Sequence, residues 1–392
     1  MYIDPLIPPL VGVVAVVLAL GLVLQTFRQP QLVGYIVAGV IIGPSGLELL
    51  TDVKLIEHLG AVGVTLLMFF IGMEVSPHQL ARGWRVAVIG TLSQILISIA
   101  CVALIGAMLD WSLVRIVLLG FVISLSSTAV VLKLLKDRNE LDSKAGNNVL
   151  LILLAQDLAI VPMLIAISLL SGSTPGAGEL LRQIAGGIVV IALAVFTVTR
   201  DYIKLPLAER IRKDHELQIF AALLICFGLA FFTGALGLSS ALGAFVAGMI
   251  VASARETDWV HHSLEPFRII FIGLLFVSMG MLIDLAFIME YWGQVVALVV
   301  GVLLTNTFIN ALILRALGDT WRISLYSAAL LAQIGEFSFV LASVGLQSGI
   351  IEGFSYQMTI AVIALSLLLS PAWIAASKVL LRVGPPAGQH RL

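Results

Sequence analysis

Charge is what this chain lacks most. Asp, Glu, Lys and Arg make up 11% of its 392 residues and hydrophobic side chains 60%, against about 25% and roughly 45–50% in soluble domains. Such a chain is read as living in lipid. Positive and negative residues nearly cancel, at a formal net charge of −1, so the sequence offers no basic face for nucleic acid and implies no polyanionic partner. Cysteine is nearly absent. Cys101 and Cys226 both fall in apolar segments, where a buried, reduced thiol is the ordinary state and a redox or metal role is not expected. No Gly-x-Gly-x-x-Gly follows a strand, so no nucleotide-binding domain is expected, and no His-Glu-x-x-His pair or buried nucleophile with a base supports a membrane hydrolase. A cation channel would want a carbonyl filter such as Thr-Val-Gly-Tyr-Gly; none occurs. Met1 to Pro5 carries no basic residue and no small-residue cleavage site closes the first apolar run, so a removable signal peptide is not expected.

What is present is a series of apolar runs. Thirteen are marked, at 6–24, 32–49, 59–75, 86–109, 113–132, 149–170, 181–198, 217–233, 236–251, 267–283, 295–314, 323–347 and 356–380. Each is near the roughly 17–25 residues that a spanning helix needs, so an all-α membrane protein of thirteen transmembrane helices is predicted. Lys and Arg should gather in cytoplasmic loops. One alternate set of loops holds most of them, including Lys133, Lys136, Arg138, Lys144 and Arg200 to Lys213, and the other holds only Lys54, Arg115 and Arg182. The N-terminus is therefore expected outside and the C-terminus in the cytoplasm.

The chain also repeats itself. Gly34, Val37, Ala38, Gly39 and Ile41 recur as Gly243, Val246, Ala247, Gly248 and Ile250. Leu66, Leu67, Gly72 and Met73 recur as Leu274, Leu275, Gly280 and Met281, and Pro162 as Pro371, always 208 or 209 residues later. Partners lie seven spans apart, an odd number, so the copies must thread the membrane in opposite directions. An inverted-topology repeat of this kind lets a chain exchange the conformations of its halves, as many secondary transporters do. The layout predicted is repeat 1 over about 32–170, a linker helix over about 181–198 and repeat 2 over about 236–380, within a transmembrane domain 1–383 followed by a cytoplasmic tail 384–392.

Asp157 sits inside the run 149–170, beside Gln156 and five residues before Pro162. A carboxylate at bilayer depth costs roughly 2.5–3.5 kcal/mol, so it tends to be kept where it handles a charge; a permanently protonated helix-helix hydrogen bond is the plainer alternative. The repeat offset maps Ser124 to Val131 onto Ala332 to Phe339, two polar interruptions in apolar spans. Discontinuous helices in corresponding positions usually meet at a midplane site. Ser126, Ser127 and Thr128 either cap freed backbone and help bind the ion, or serve helix packing as small residues. Glu336 is either a cation ligand or an anchor for the unwound helix, with Gln333 beside it. The segment 255–265, with His261, His262 and Glu265, is expected as a cytoplasmic loop, either simply solvated or sensing pH through its imidazoles.

The motifs at Thr65 to Glu74, Leu125-Ser126-Ser127-Thr128-Ala129, Gln156-Asp157, Leu264-Glu265-Pro266-Phe267, Gly280-Met281 with Asp284, and Gly335-Glu336-Phe337 resemble, in order and over nearly the whole chain, those of the cation:proton antiporter-2 family and its KefC-like potassium/proton branch. The resemblance implies a sodium/proton antiporter-like fold with two crossed discontinuous helices and a second domain that makes a homodimer. It implies Asp157 as the ion- and proton-binding acid, Gln156 as its neighbour, and a monovalent cation, potassium or sodium, as substrate rather than cofactor. Members of this branch usually continue into a cytoplasmic nucleotide-binding domain, which is expected here to be removed, supplied by a separate polypeptide, or dispensed with. Some relatives carry a basic residue where this chain has Asn306. With no Lys or Arg at the centre of any span, an organic-anion symporter is disfavoured and electroneutral one-for-one exchange is predicted.

Overall fold

The structure, a computed structural model, describes residues 7–26, 31–50, 52–74, 83–170, 214–236, 240–253 and 258–381, with isolated positions between 178 and 211 and at 238. Of the expected linker helix at 181–198 the structure describes 181, 182, 185–189, 192, 193 and 196, all of them helical, and the tail at 384–392 lies wholly outside the described residues. Among the described residues all regular structure is helical. In chain order the helices are α1 (Ile7–Thr26), α2 (Gln31–Ile42), α3 (Val53–Glu74), α4 (Thr91–Met108), α5 (Leu113–Ser124), α6 (Thr128–Asp137), α7 (Lys144–Leu170), α8 (His215–Ala235), α9 (Ser240–Ala252), α10 (Asp258–Met281), α11 (Leu285–Glu290), α12 (Trp292–Ala316), α13 (Trp321–Leu330), α14 (Phe337–Gln347) and α15 (Gly353–Leu380). Every expected apolar run carries helix among its described residues.

Among the described residues six stretches are both long and apolar enough to cross a membrane: Arg85–Met108, Lys144–Leu164, Glu216–Ala235, Leu264–Met281, Trp292–Ala316 and Gly353–Leu380. Their side chains are arranged inside out. On α4 the polar Thr91, Gln94 and Ser98 are buried while Leu92, Leu96, Leu104 and Met108 are exposed. In water that pattern would leave a large apolar face unpaid by any burial; against lipid tails it is the low-energy arrangement. The chain is a multi-pass membrane protein. One expectation is corrected: 258–265 is not loop but the start of α10, a 24-residue helix whose apolar stretch begins only at Leu264. Apolarity marks where lipid begins, and a helix is free to run on past that point into water.

The chain packs as two compact units. The first draws on Met1–Thr51, His78–Ser173 and Gly280–Leu392, and holds α1, α2, α4 to α7 and α11 to α15. Two helical stretches in it are interrupted. The chain leaves α5 at Ser124, runs extended through Leu125 and Ser127, and resumes as α6. It likewise leaves α13 at Leu330 and resumes as α14 at Phe337. At the far end from these breaks two buried acids pin the helix ends. Glu140, after α6, accepts from Tyr326 Oη and pairs with Lys378 Nζ of α15 at 2.6 Å. Asp319, between α12 and α13, binds Lys144 and Asn148 at the start of α7.

The second unit draws on Asp52–Pro77 and Thr174–Met279, and is built on α3, α8, α9 and most of α10. Here α3 and α9 meet backbone to backbone. A Cβ on Gly72 would lie 2.1 Å from Phe245 O, and one on Gly248 would lie 2.1 Å from Phe69 O, so only glycine fits at either place. Within the first unit a Cβ on Gly280 would lie 2.1 Å from Ile36 O and 2.9 Å from the Cα of Gly39. At an offset of 208–209 residues in the sequence Gly72 corresponds to Gly280 and Gly39 to Gly248, so the two close approaches join corresponding positions.

Candidate functional site

A helix that stops inside a protein leaves its last carbonyls without amide partners, and in a membrane no water makes up the loss. At the end of α5 each freed oxygen has found a donor. Phe121 O accepts from Ser124 Oγ (2.8 Å), Val122 O from Ser338 Oγ (2.7 Å), Ile123 O from Asn306 Nδ2 (2.9 Å), Ser124 O from Gln156 Nε2 (3.1 Å) and Leu125 O from the Gly335 amide (2.7 Å). The second break is served in return. Ser126 Oγ donates to Leu331 O (2.8 Å), Asn306 Nδ2 to Ala332 O (3.1 Å), and the Ile334 amide to Ser366 Oγ (3.1 Å). The two breaks are thus hydrogen-bonded to one another as well as to α7, α12 and α15. Gly335 makes the approach feasible, since a Cβ there would lie 2.5 Å from Ser126 O.

Gln156 and Asp157 reach this junction from α7, and are 1% and 2% exposed. The Gln156 side chain is fully engaged in holding the first break: Oε1 accepts from the Ser126 amide (3.0 Å), and Nε2 donates to Ser124 O and to Gln94 Oε1 (2.7 Å). Asp157 Oδ2 accepts from Thr128 Oγ1 at 2.9 Å. Thr128 is the first residue of α6, and Ser127 caps that helix by accepting from the Val130 amide (3.3 Å). The carboxylate therefore lies at an amino end, where the partial positive charge of the helix favours an anion. A cavity of about 610 Å³ runs along α7 from a polar rim at Asp142, Ser143, Lys144 and Asn147 to Leu150 and Leu154. Leu154 is one turn before Asp157.

The other residues singled out from the sequence fall as follows. Ser126, Ser127, Thr128, Gln156, Asp157 and Asn306 converge on the junction. Gln333 is buried in the second break, but neither its Oε1 nor its Nε2 has a hydrogen-bond partner among the described residues. Glu336 is buried at the head of α14 and makes no side-chain cap to that helix. Glu265 is exposed on α10, and the His261 and His262 side chains lie outside the described residues. Asp284 caps α11 by accepting from the Phe287 amide at 3.1 Å. Gln94 and Ser366, which sequence reasoning does not single out, complete the network together with Ser338 of the polar interruption 332–339. Gln94 had a legible signal, as a long polar side chain inside the apolar run 86–109.

Comparison with known proteins agrees with this architecture. The family model for the sodium/hydrogen exchanger, transmembrane, matches residues 12–376. The chain is 34% identical to the iron transporter MagA of Paramagnetospirillum magneticum over 93% of this chain and 83% of that protein. It is 34% identical to K(+) efflux antiporter 5 of Arabidopsis thaliana, over 93% and 65%, and 33% identical to the glutathione-regulated potassium-efflux system protein KefC of Klebsiella pneumoniae, over 91% and 56%. It thus spans little more than half the length of KefC. In fold it is similar to the sodium proton antiporter MjNhaP1 from Methanocaldococcus jannaschii, with a TM-score of 0.65 at 16% identity over 97% of this chain and 99% of that one. With family model, relatives and fold in agreement, the chain belongs to the sodium/hydrogen exchanger family and, within it, to the KefC-like branch of the cation:proton antiporters.

Proposed function

We propose that this chain exchanges one monovalent cation, potassium before sodium, for one proton, with Asp157 as the seat that the two share. The observation that carries the reading is the buried Asp157 carboxylate, which accepts from Thr128 at the junction of two broken helices, one turn beyond the end of a polar-rimmed cavity. The cavity rim includes Lys144, a residue of the loops expected in the cytoplasm, so it serves as the inner entrance in an inward-open state. Thirteen spans then place the N-terminus outside, with α5–α6 and α13–α14 as crossed half-helices, each pair making one crossing. The corresponding glycine approaches, Gly72 to Gly248 and Gly280 to Gly39, support an inverted repeat as the basis of alternating access. A homodimer in the cell membrane and a separate or additional regulatory domain complete the picture.

Exchange follows from charge. The loaded site is neutral with either a proton or a cation on Asp157, whereas the empty site is a bare anion. At roughly 3 kcal/mol for that anion and about 1.4 kcal/mol per factor of ten, an empty carrier crosses about a hundredfold less often than a loaded one. Among the described residues no Lys or Arg adds a charge at the junction; Asn306 stands there and gives its amide to Ile123 O and Ala332 O. The transport is therefore electroneutral. Potassium takes precedence because two relatives are named for it, and sodium stands second on the name of the similar structure. One carboxylate with hydroxyl oxygens also suits an alkali ion better than a transition metal, whose sites use imidazole, thiolate or several carboxylates. In proteoliposomes, potassium- or sodium-driven proton movement should vanish in Asp157→Asn while the purified protein stays folded, and should not respond to a clamped membrane potential. Residual coupled exchange in that variant would place the acid elsewhere, and a clear voltage dependence would remove the one-for-one stoichiometry.

A further inference from the structure

Gln94 of α4 is wholly buried and lies outside every motif used so far. The hydrogen-bond chemistry around it fixes its role. Gln156 Oε1 faces the Ser126 amide, which only donates, and Gln156 Nε2 faces Ser124 O, which only accepts. The Gln156 amide therefore has one possible orientation. Its second N–H then demands an acceptor, and Gln94 Oε1 is that acceptor at 2.7 Å. This in turn fixes the Gln94 amide, whose Nε2 is turned away and, like Ser98 Oγ one turn along the same helix, has no hydrogen-bond partner. The tie between the two helices is reinforced one turn earlier, where Thr91 Oγ1 donates to Ile152 O at 3.4 Å.

We infer that Gln94 is a positioning residue for ion exchange: it locks the Gln156 amide, which holds the first break open at Ser124 and Ser126 and so sets where Thr128 stands relative to Asp157. The chain of dependence runs from α4 through α7 to the break. Without an acceptor at position 94 the Gln156 amide keeps its orientation but has one N–H unmet and one anchor fewer, so its hold on Ser124 O and the Ser126 amide weakens. The seat for the larger ion loosens first. A proton needs only one carboxylate oxygen, whereas a cation needs several oxygens at set distances. The inference rests on the Asp157 reading of the preceding subsection.

The test is cation-driven proton exchange in proteoliposomes for wild type, Gln94→Leu, Gln94→Met, Gln94→Glu and Asp157→Asn, with folding checked by gel filtration of each purified protein. Gln94→Met keeps the length of the side chain and removes the acceptor; Gln94→Glu keeps an oxygen facing Gln156. For Leu and Met the apparent KM for the cation should rise roughly five- to tenfold, the worth of one lost hydrogen bond. At fixed cation concentration the acid-side fall in activity should move upward by as much as about one pH unit, because protons then compete against a weaker rival. Gln94→Glu should lie nearer wild type than Gln94→Leu in cation KM. A folded Gln94→Met with wild-type KM and pH profile, or with only kcat lowered, overturns the inference while Asp157→Asn is inactive. Exchange surviving in Asp157→Asn instead overturns the reading beneath it.

Discussion

The two breaks do the same geometric job by different means. The first, at Leu125 to Ser127, is short, extended at both ends, and held by side chains: Gln156 takes the Ser126 amide and Ser124 O, Ser127 caps α6, and Thr128 reaches Asp157. The second, at Leu331 to Glu336, is longer, and α14 starts at a helical Glu336 with no side-chain cap. It is held from α12, α15 and the first break rather than from α7, as Leu331 O, Ala332 O and the Ile334 and Gly335 amides pair with Ser126, Asn306, Ser366 and Leu125. On the proposed function, a break held from α7 is tied to events at Asp157, and one held from α12 and α15 is the abutment it works against.

The largest expected effect comes from attacking the abutment. Gly335→Ala places a Cβ 2.5 Å from Ser126 O and 2.6 Å from Ser126 C, backbone atoms that cannot swing aside. Overpacking of this kind costs about 1–3 kcal/mol, and both breaks should suffer together, with a lower melting temperature and exchange lost. A variant with wild-type stability and exchange would show that the breaks do not need their close approach. Thr128→Val should act more selectively. It removes the hydroxyl that donates to Asp157 Oδ2, and a hydrogen bond to a carboxylate favours the anion over the acid. Protons should then compete better, so the acid limb of exchange moves to higher pH with stability little changed; an unmoved pH profile would detach Thr128 from the site. Smallest is Ser127→Ala, which removes the α6 cap. Loss of a cap costs about 0.5–2 kcal/mol, so thermal stability should fall by that order while cation selectivity stays the same. A change in selectivity would mean that Ser127 touches the ion.

The parts of this site that were legible in the sequence are those where one residue breaks a local rule. A carboxylate in an apolar run, polar strings at Ser124 to Thr128 and Gln333 to Glu336, and glycines recurring at a constant offset all stand out against lipid-facing helix. Their partners do not. Ser338 Oγ reaches Val122 O across 216 residues of chain, and Ser126 Oγ reaches Leu331 O across 205, distances over which no spacing rule operates. Gln94 was visible as a polar residue but its target was not. The start of α10 at Asp258 looks like loop in the sequence because charge marks the edge of lipid rather than the end of a helix.

What the sequence determined by itself is the solvent: a chain this apolar, with runs of this length, must satisfy its backbone inside helices and keep any acid for a purpose. Tertiary structure alone decided which groups complete the two helices that stop short. Freed carbonyls and amides in a membrane have no water to turn to, so their partners had to come from distant helices, and only folding brings those helices within 3 Å.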